Sequence, residues 1–488
     1  MTELPGRRTS PRILLVHTVT FRQARQFVPA LIPLVAVTGF GGGRTTIILL
    51  AVGITLLSLL TATLTWWRFS YADGSSAVVV TRGLLSRSVR TVPTDRIRGV
   101  EVETPLLHRL FGLVRVRIDA AAGAVSGNDE ELVVDGVPRD EGDRLRTAVL
   151  SRRAAPATEP GVDGVVAPEP PDEEFARFDN RWLLYAPLVG SYLAIPAAAV
   201  GAGFRLLDEL GHNVRPDLER LDLGGGWVPA VGIAGVLLLL LAVGAVIGAA
   251  LVNWGFTLDR RGGSLIAVRG LLTRRHTELE IDRIRGGTVS EGLGMRWMRA
   301  ARINALVTGL GDAARRGQLL PLGPRASAWA LIRRLVDDPG PLVAHPPAAR
   351  RRSIVRAVAT GLLVSGVGIA ATVAAGWWWI LAAGIGLTVL GVPLGLGRYA
   401  SLGHAAGPRS FSVRSGWLVR EQVILQRRAV VGWRVRQSFF QRRAGLATVV
   451  ACVGAGTGGY AAVDLAAADV ASFTAAASEP WAAEFAHR

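Results

Sequence analysis

The sequence predicts a membrane protein of mixed α and β structure. Six apolar helices form three hairpins, and each hairpin is followed by a basic, cytoplasmic β-barrel or sandwich closed by a C-terminal helix. Three observations carry this reading. Long apolar runs occur in pairs at three places along the 488 residues. The basic residues, all of them arginine, fall almost entirely outside those runs. The segments that follow the pairs repeat one another.

A helix that crosses a bilayer needs about 20 mostly apolar residues. The first pair of runs is Phe27–Phe40 and Thr45–Trp67, the second Trp182–Phe204 and Trp227–Trp254, the third Ile354–Gly376 and Trp377–Gly397. The breaks within the first and third pairs are very short, which is what a helical hairpin requires. Pro29 and Pro33 make the first span the least regular; membrane helices tolerate such breakers where neighbours satisfy the freed backbone groups. Trp66, Trp67, Trp182, Trp227, Trp254 and Tyr399 sit at span ends, where amphipathic rings anchor at the interface. One apolar run follows another without a small-residue cleavage site, so a cleaved signal peptide is not expected.

Half of the residues are hydrophobic and 19% are charged, yet the net charge is +17 and the mean hydropathy is +0.35. That pairing excludes an ordinary soluble enzyme and a disordered chain. Six spans place both termini on one side, and that side holds 51 of the 55 arginines. Arginines close to the spans agree, among them Arg22, Arg25, Arg177, Arg181, Arg260, Arg261, Arg350 and Arg398. By the positive-inside rule this side is the cytoplasm. The expectation is a multi-pass cell-membrane protein with cytoplasmic N- and C-termini. Topology thus accounts for the basic excess, and no nucleic-acid recognition motif accompanies it.

The repeat is visible in short motifs. Val80-Thr81-Arg82-Gly83-Leu84-Leu85-Ser86-Arg87 and Asp95-Arg96-Ile97-Arg98-Gly99 follow the first hairpin. Val268-Arg269-Gly270-Leu271-Leu272-Thr273-Arg274 and Asp282-Arg283-Ile284-Arg285-Gly286 follow the second, at a constant offset of 187. The third copy, at an offset of 333 from the first, keeps Arg414-Ser415-Gly416-Trp417-Leu418 and Gly432, but has Arg428-Ala429-Val430-Val431 where the others have Asp-Arg-Ile-Arg. Val114–Asp119 alternates apolar and charged residues, the signature of a strand with one face buried. Glu131–Asp135 reads as a further strand. Pro138–Arg152, Pro324–Val336 and the alanine-rich Ala461–Ala477 read as closing helices.

These motifs resemble bacterial PH domains of the second type. Three such domains, each behind a two-helix hairpin, resemble the YdbT-like bacterial membrane proteins. The resemblance implies a pleckstrin-homology-like fold, membrane residence and no catalysis, with a link to envelope stress or resistance to membrane-active peptides. It is weakest for the third copy, which lacks the Asp-Arg-Ile-Arg element. The expected organisation is an arm at 1–26, hairpin one at 27–67 and domain one at 68–153. A linker at 154–181 precedes hairpin two at 182–254 and domain two at 255–337. A second linker at 338–353 leads to hairpin three at 354–397, the diverged domain three at 398–477, and a tail at 478–488.

Catalytic constellations of the usual kinds are missing: no H-E-x-x-H, Walker A, G-x-S-x-G or C-x-x-C occurs. The lone Cys452 sits in an apolar run and the seven histidines are scattered. Neither a metal site nor a cofactor is expected. The functional signal lies in arginines near the first strands of each repeat: Arg82, Arg87, Arg96 and Arg98; Arg269, Arg274, Arg275, Arg283 and Arg285; Arg414, Arg420, Arg427 and Arg428. Each basic residue close to an anionic leaflet gains about 1 kcal/mol, and guanidinium forks bind phosphate in a bidentate manner. The plainer alternative is a solvated strand face that also sets topology. The function expected is a non-enzymatic, membrane-proximal scaffold. It would contact anionic lipid headgroups, a partner membrane protein or further copies of itself, and no nucleic acid. A transporter or a lipid- or peptide-handling channel built from the six helices is the alternative.

Overall fold

The computed structural model describes residues 6–20, Gly53, Leu56, 59–74, 77–83, 88–93, 97–120, 131–154, 173–209, 228–308 and 317–478. The chain divides into two compact units: Met1–Asp172 with Ser264–Glu278, and Glu173–Gly263 with Leu279–Arg488. The division cuts through the second repeat, because strands in this chain do not stay within their own repeat.

In the first unit, α1 (Ile13–Thr20) precedes two antiparallel sheets. One is β1 (Ser70–Asp73), β2 (Ala77–Arg82) and β3 (Ser88–Pro93) in chain order. The other contains β4 (Ile97–Thr104), β5 (Leu113–Ala120) and β6 (Glu131–Pro138), with α2 (Leu106–Leu110) between β4 and β5. The alternation in β5 does what the pattern predicts: Val114, Val116 and Ile118 are buried, while Arg115 and Arg117 face the other way. Val78, Val80 and Val92 of the first sheet share a core with Val100, Val102 and Leu132 of the second. Leu145 of α3 (Arg139–Ala154) joins that core. A sandwich closed by a helix therefore forms, but among the described residues the two sheets do not join into a closed barrel.

The reason is that β4 gives its outer edge to the next repeat. β7 (Glu173–Arg177) and β8 (Thr257–Arg261) belong to the second unit, but β9 (Ser264–Arg269) and most of β10 (Arg274–Glu280) lie in the first. There β10 pairs antiparallel with β4, placing Arg274 opposite Thr104, Arg275 opposite Glu103 and His276 opposite Val102. Glu103 is buried and held by Arg275 at 3.2 Å and Arg117 at 3.3 Å.

In the second unit, β7 and β8 pair antiparallel and so draw together the chain before α4 (Gly190–Glu209) and after α5 (Val228–Asn253). Helices α5, α8 (Pro347–Ala375) and α9 (Trp378–Ala400) are long and apolar enough to cross a membrane. The expected span Trp182–Phe204 is not one helix. Asn180–Leu188 is a 3-10 helix, and the chain bends by 71° before α4. Pro187 sits at this break, where a missing N–H and a fixed φ disfavour a continuous α-helix. Trp182 accordingly packs edge-on to Phe178, with centroids 5.4 Å apart, and against Gly323. Of the first pair of apolar runs, only Gly53, Leu56 and the helical residues 59–67 are described.

Helices α8 and α9 run back along each other from Gly376 and Trp377. A Cβ on Gly368 would lie 2.5 Å from the Leu381 backbone, and one on Gly384 2.5 Å from the Ser365 backbone. Small residues thus permit close helix contact. Helix α8 begins at Pro347, inside the stretch expected as linker, and Val343 ahead of it pairs with His404.

The strand exchange recurs in this unit. β11 (Ile284–Gly292), α6 (Leu293–Trp297), β12 (Ala300–Val307), β13 (Gln318–Pro324) and α7 (Arg325–Leu335) finish the second repeat. β14 (Gly403–Ala406), β15 (Ser410–Ser415) and β16 (Val419–Gln426) begin the third, and the sheet order is β13-β12-β11-β16-β15-β14. Gly286 lies opposite Leu425, Ser290 opposite Glu421 and Glu291 opposite Arg420. Corrected for the offsets of 187 and 333, the register is that of β4 with β10. The third repeat ends with β17 (Val430–Arg436), α10 (Phe439–Arg443), β18 (Leu446–Val453), β19 (Gly459–Ala466) and α11 (Val470–Ala476). The expected helix Ala461–Ala477 is half strand: Ala462 and Leu465 bury against Phe411 and Val449, and that packing overrides the helix propensity of alanine.

The shared edge has a direct test. A Cβ on Gly286 would meet the Ile424 carbonyl oxygen at 2.2 Å, whereas Gly432, the same repeat position in β17, has open space. Gly286→Val is expected to destabilise by about 1–3 kcal/mol and Gly432→Val by less than about 0.5 kcal/mol, measured by thermal unfolding in detergent. Equal shifts would show that β11 and β16 do not pair.

Candidate functional site

Where β16 joins β11, arginines from four elements converge. A cleft of about 900 Å³ is lined by Arg299, Arg325, Arg333 and Arg414, with Tyr185 and Trp329 among its apolar walls. Arg299 sits in the turn after α6 at φ +52°, and its carbonyl accepts from the Arg325 amide at 2.7 Å. That bond ties this turn to the start of α7. Arg414 enters from β15. Beside the cleft, Arg296 donates to the Trp417 carbonyl, and Arg420 lies opposite Glu291.

Six arginines thus face two carboxylates. Glu291 pairs with Arg325 at 2.9 Å and Asp338 with Arg333 at 3.1 Å. The Arg299 guanidinium has no partner among the described residues. Burial first, and then the charge of Arg420, press Arg414 below the ordinary arginine range. Burial and then Arg296 do the same to Arg420. An anion in the cleft would relieve this crowding, and guanidinium forks suit phosphate or carboxylate oxygens.

Exposed apolar side chains border the same edge. Trp297, 85% exposed, projects from α6 with Leu293, and Leu418 and Val419 project from the turn into β16. In the first unit Leu106 and Leu110 of α2, and Leu271 and Leu272 of the turn into β10, are likewise exposed. These turns are the Arg-Gly-Leu-Leu motif and its third-copy variant. Gly270 and Gly416 have φ of +108° and +91°, and a Cβ on either would lie 2.0 Å from a carbonyl oxygen. The glycine is required for the turn that carries the exposed leucines.

Several arginines singled out from the sequence serve internal bonds. Arg414 donates to the carbonyls of Ser401 at 3.1 Å and Ala400 at 3.2 Å, at the end of α9. Arg420 reaches the Ser401 hydroxyl, Arg427 the Pro408 carbonyl at 2.8 Å and Arg428 the Gln426 side chain. Arg275 pairs with Glu103 and Arg283 with Glu280. Arg269 is buried, Arg82 and Arg285 are half-buried, and Arg274 is exposed. Arg87, Arg96 and the side chain of Arg98 lie outside the described residues. Only Arg414 and Arg420 of this set come to the cleft region. Arg299, Arg325 and Arg333 follow no motif, and the sequence carries no signal that sets them beside Arg414.

A buried polar junction fixes the third domain to its helices. Arg352 of α8 and Gln441 of α10 both bind the Asp464 carboxylate, Gln441 at 2.8 Å. His345 lies 3.1 Å from the Asp464 carbonyl oxygen and 3.2 Å from His404. Tyr399 of α9 donates to the His345 carbonyl at 2.7 Å. In the first repeat, His108 stands at the position of Gln441 and bonds Asp135 at 2.7 Å. Among the described residues no group of three or more His, Cys, Asp or Glu gathers to hold a metal ion.

A family model described as "Bacterial PH domain" matches residues 27–153, 219–337 and 355–479. The chain is similar to the UPF0699 transmembrane protein YdbT of Bacillus subtilis (strain 168), 22% identical over 274 residues, which is 54% of each chain. The chain thus spans about half the length of that curated relative. No solved structure matches it.

The histidine pair makes the junction sensitive to acid. Burial first and His345 second push His404 down to about 4, and burial lowers His345 as well. Unfolded histidine protonates near 6.5, so the unfolded chain binds the extra proton first. The stability is present above pH 6.5 and is lost as pH falls towards 4. His404 alone is expected to account for about 2 kcal/mol between pH 7.5 and 5, and His404→Gln should flatten that part of a melting-temperature profile. A profile unchanged by the substitution would show that folding does not shift the protonation of His404.

Proposed function

The chain belongs to the bacterial PH domain family, and from that premise we propose that it is a non-enzymatic membrane scaffold whose PH-like domains hold anionic lipid headgroups at the cytoplasmic surface. Its similarity to a transmembrane protein and its long apolar helices make it membrane-associated. The finer reading keeps six spans in three hairpins, with both termini in the cytoplasm, in keeping with the arginine distribution.

The observation that carries the proposal is the arginine cleft behind an apolar rim. Trp297 and Leu418 offer side chains suited to the interfacial layer of a bilayer. Behind them, Arg299, Arg325 and Arg414 stand where a phosphate would enter. Arg414 also bonds the last carbonyls of α9, so the cleft is tethered close to a helix end and hence to the membrane surface. The alternative is a transporter or channel built from the same helices, of which α8 and α9 pack directly against each other through their glycines.

Because the repeats share strands, the test needs the full chain. In neutral detergent it is expected to bind short-chain phosphatidylglycerol in a salt-sensitive manner and to leave phosphatidylcholine unbound. Arg299→Gln and Arg325→Gln should each weaken binding by about 1 kcal/mol, read by titration calorimetry. Equal affinity for the two lipids, or insensitivity to both substitutions, would sink the headgroup reading.

A further inference from the structure

The two strand-sharing joints follow one rule: the fourth strand of a repeat accepts the third strand of the next. β4 accepts β10 and β11 accepts β16, in the same register. The third repeat likewise has a fourth strand, β17. Among the described residues β17 pairs with β18 alone.

We propose that the open edge of β17 docks an antiparallel β-strand from a second protein, one that carries acidic side chains opposite Arg434 and Arg436. Burial supports an edge built to be covered. Val435 is 51% exposed, whereas Val102 and Val289, at the same repeat position, are 5% and 2% exposed. Unpaired strand edges are templates for strand addition.

Charge identifies the occupant. Glu101 and Glu103 of β4 face the strand they accept, and Glu103 pairs across it with Arg275. In β17 the same two positions are Arg434 and Arg436. Both are exposed, and neither has a partner among the described residues. In the shared register Arg436 faces the position held by Arg275 in β10 and by Glu421 in β16. Arg434 faces the position held by Thr277 and Val423. A second copy of this chain, offering its own third strand, would set Arg90 against Arg434 and Ser88 against Arg436. Like charges directly opposite are destabilising, so β17 discriminates against its own β3 and favours a strand with carboxylates at those two positions.

The experiment uses the full chain in detergent micelles and a fluorescent peptide of the sequence Leu418–Gln426 with Val423→Glu, which sets acids opposite both arginines. A control peptide carries Glu421→Arg and Val423→Arg. The acidic peptide is expected to bind at least roughly tenfold more tightly than the control, the sum of two charge pairs. Gly432→Val should abolish binding without lowering the melting temperature, since the equivalent Cβ at Gly286 would strike the docked strand. The double variant Arg434→Glu, Arg436→Glu should invert the peptide preference, which also shows that the variant is folded. Equal binding of both peptides, binding unaffected by Gly432→Val, or assembly of the chain through this edge that excludes the peptide would overturn the proposal.

Discussion

Antiparallel pairing between the third strand of one repeat and the fourth strand of the repeat before it is the constraint on which the other features rest. A fourth strand left open would expose a row of backbone donors and acceptors together with the side chains beside it. In β4 and β11 the following repeat fills that edge, and Glu103 and Val289 become buried there. The repeats are therefore not beads on a string. A segment cut at the repeat boundaries would lose half of a sheet, much as solenoid repeats depend on their neighbours.

The same pairing decides where the arginines go. Arg275 is drawn into the joint by Glu103, and Arg420 is placed opposite Glu291. Joining β16 to β11 brings Arg414 and Arg420 from the third repeat beside Arg296, Arg299 and Arg325 from the second. The charge density of the cleft is a product of sheet assembly rather than of one motif. Arg414 shows both uses of the residue: it satisfies the free carbonyls at the end of α9, where a cation is favoured, and it also lines the cleft.

Membrane attachment is built through similar polar contacts. Arg352, Gln441 and Asp464 fasten α8 to the third domain, and Tyr399 ties α9 to His345. The arginine-rich start of α8, which the sequence presents as a topology signal, is thus also a structural clasp. The bend at Pro187 shows the reverse case. There an apolar run of spanning length is interrupted because a local backbone restriction outweighs the hydropathy of the stretch.

Periodicity and repetition in the sequence are enough to reveal the apolar helices α5, α8 and α9, the alternating strand β5 and the three-fold repeat, because each is legible in short runs of residues. Over Ala461–Ala466 the alanine-rich run reads as helix but forms strand, since alanine's local preference is overridden by contacts to Phe411 and Val449. Which strand lies beside which was settled only in three dimensions. Sequence offsets show that 88 corresponds to 275 and 421, but they do not show that Arg275 pairs across a repeat boundary. The cleft belongs to that class as well. Arg299, Arg325 and Arg414 are far apart in the chain and share no motif, and only the hydrogen-bonded register of β11 and β16 brings them together.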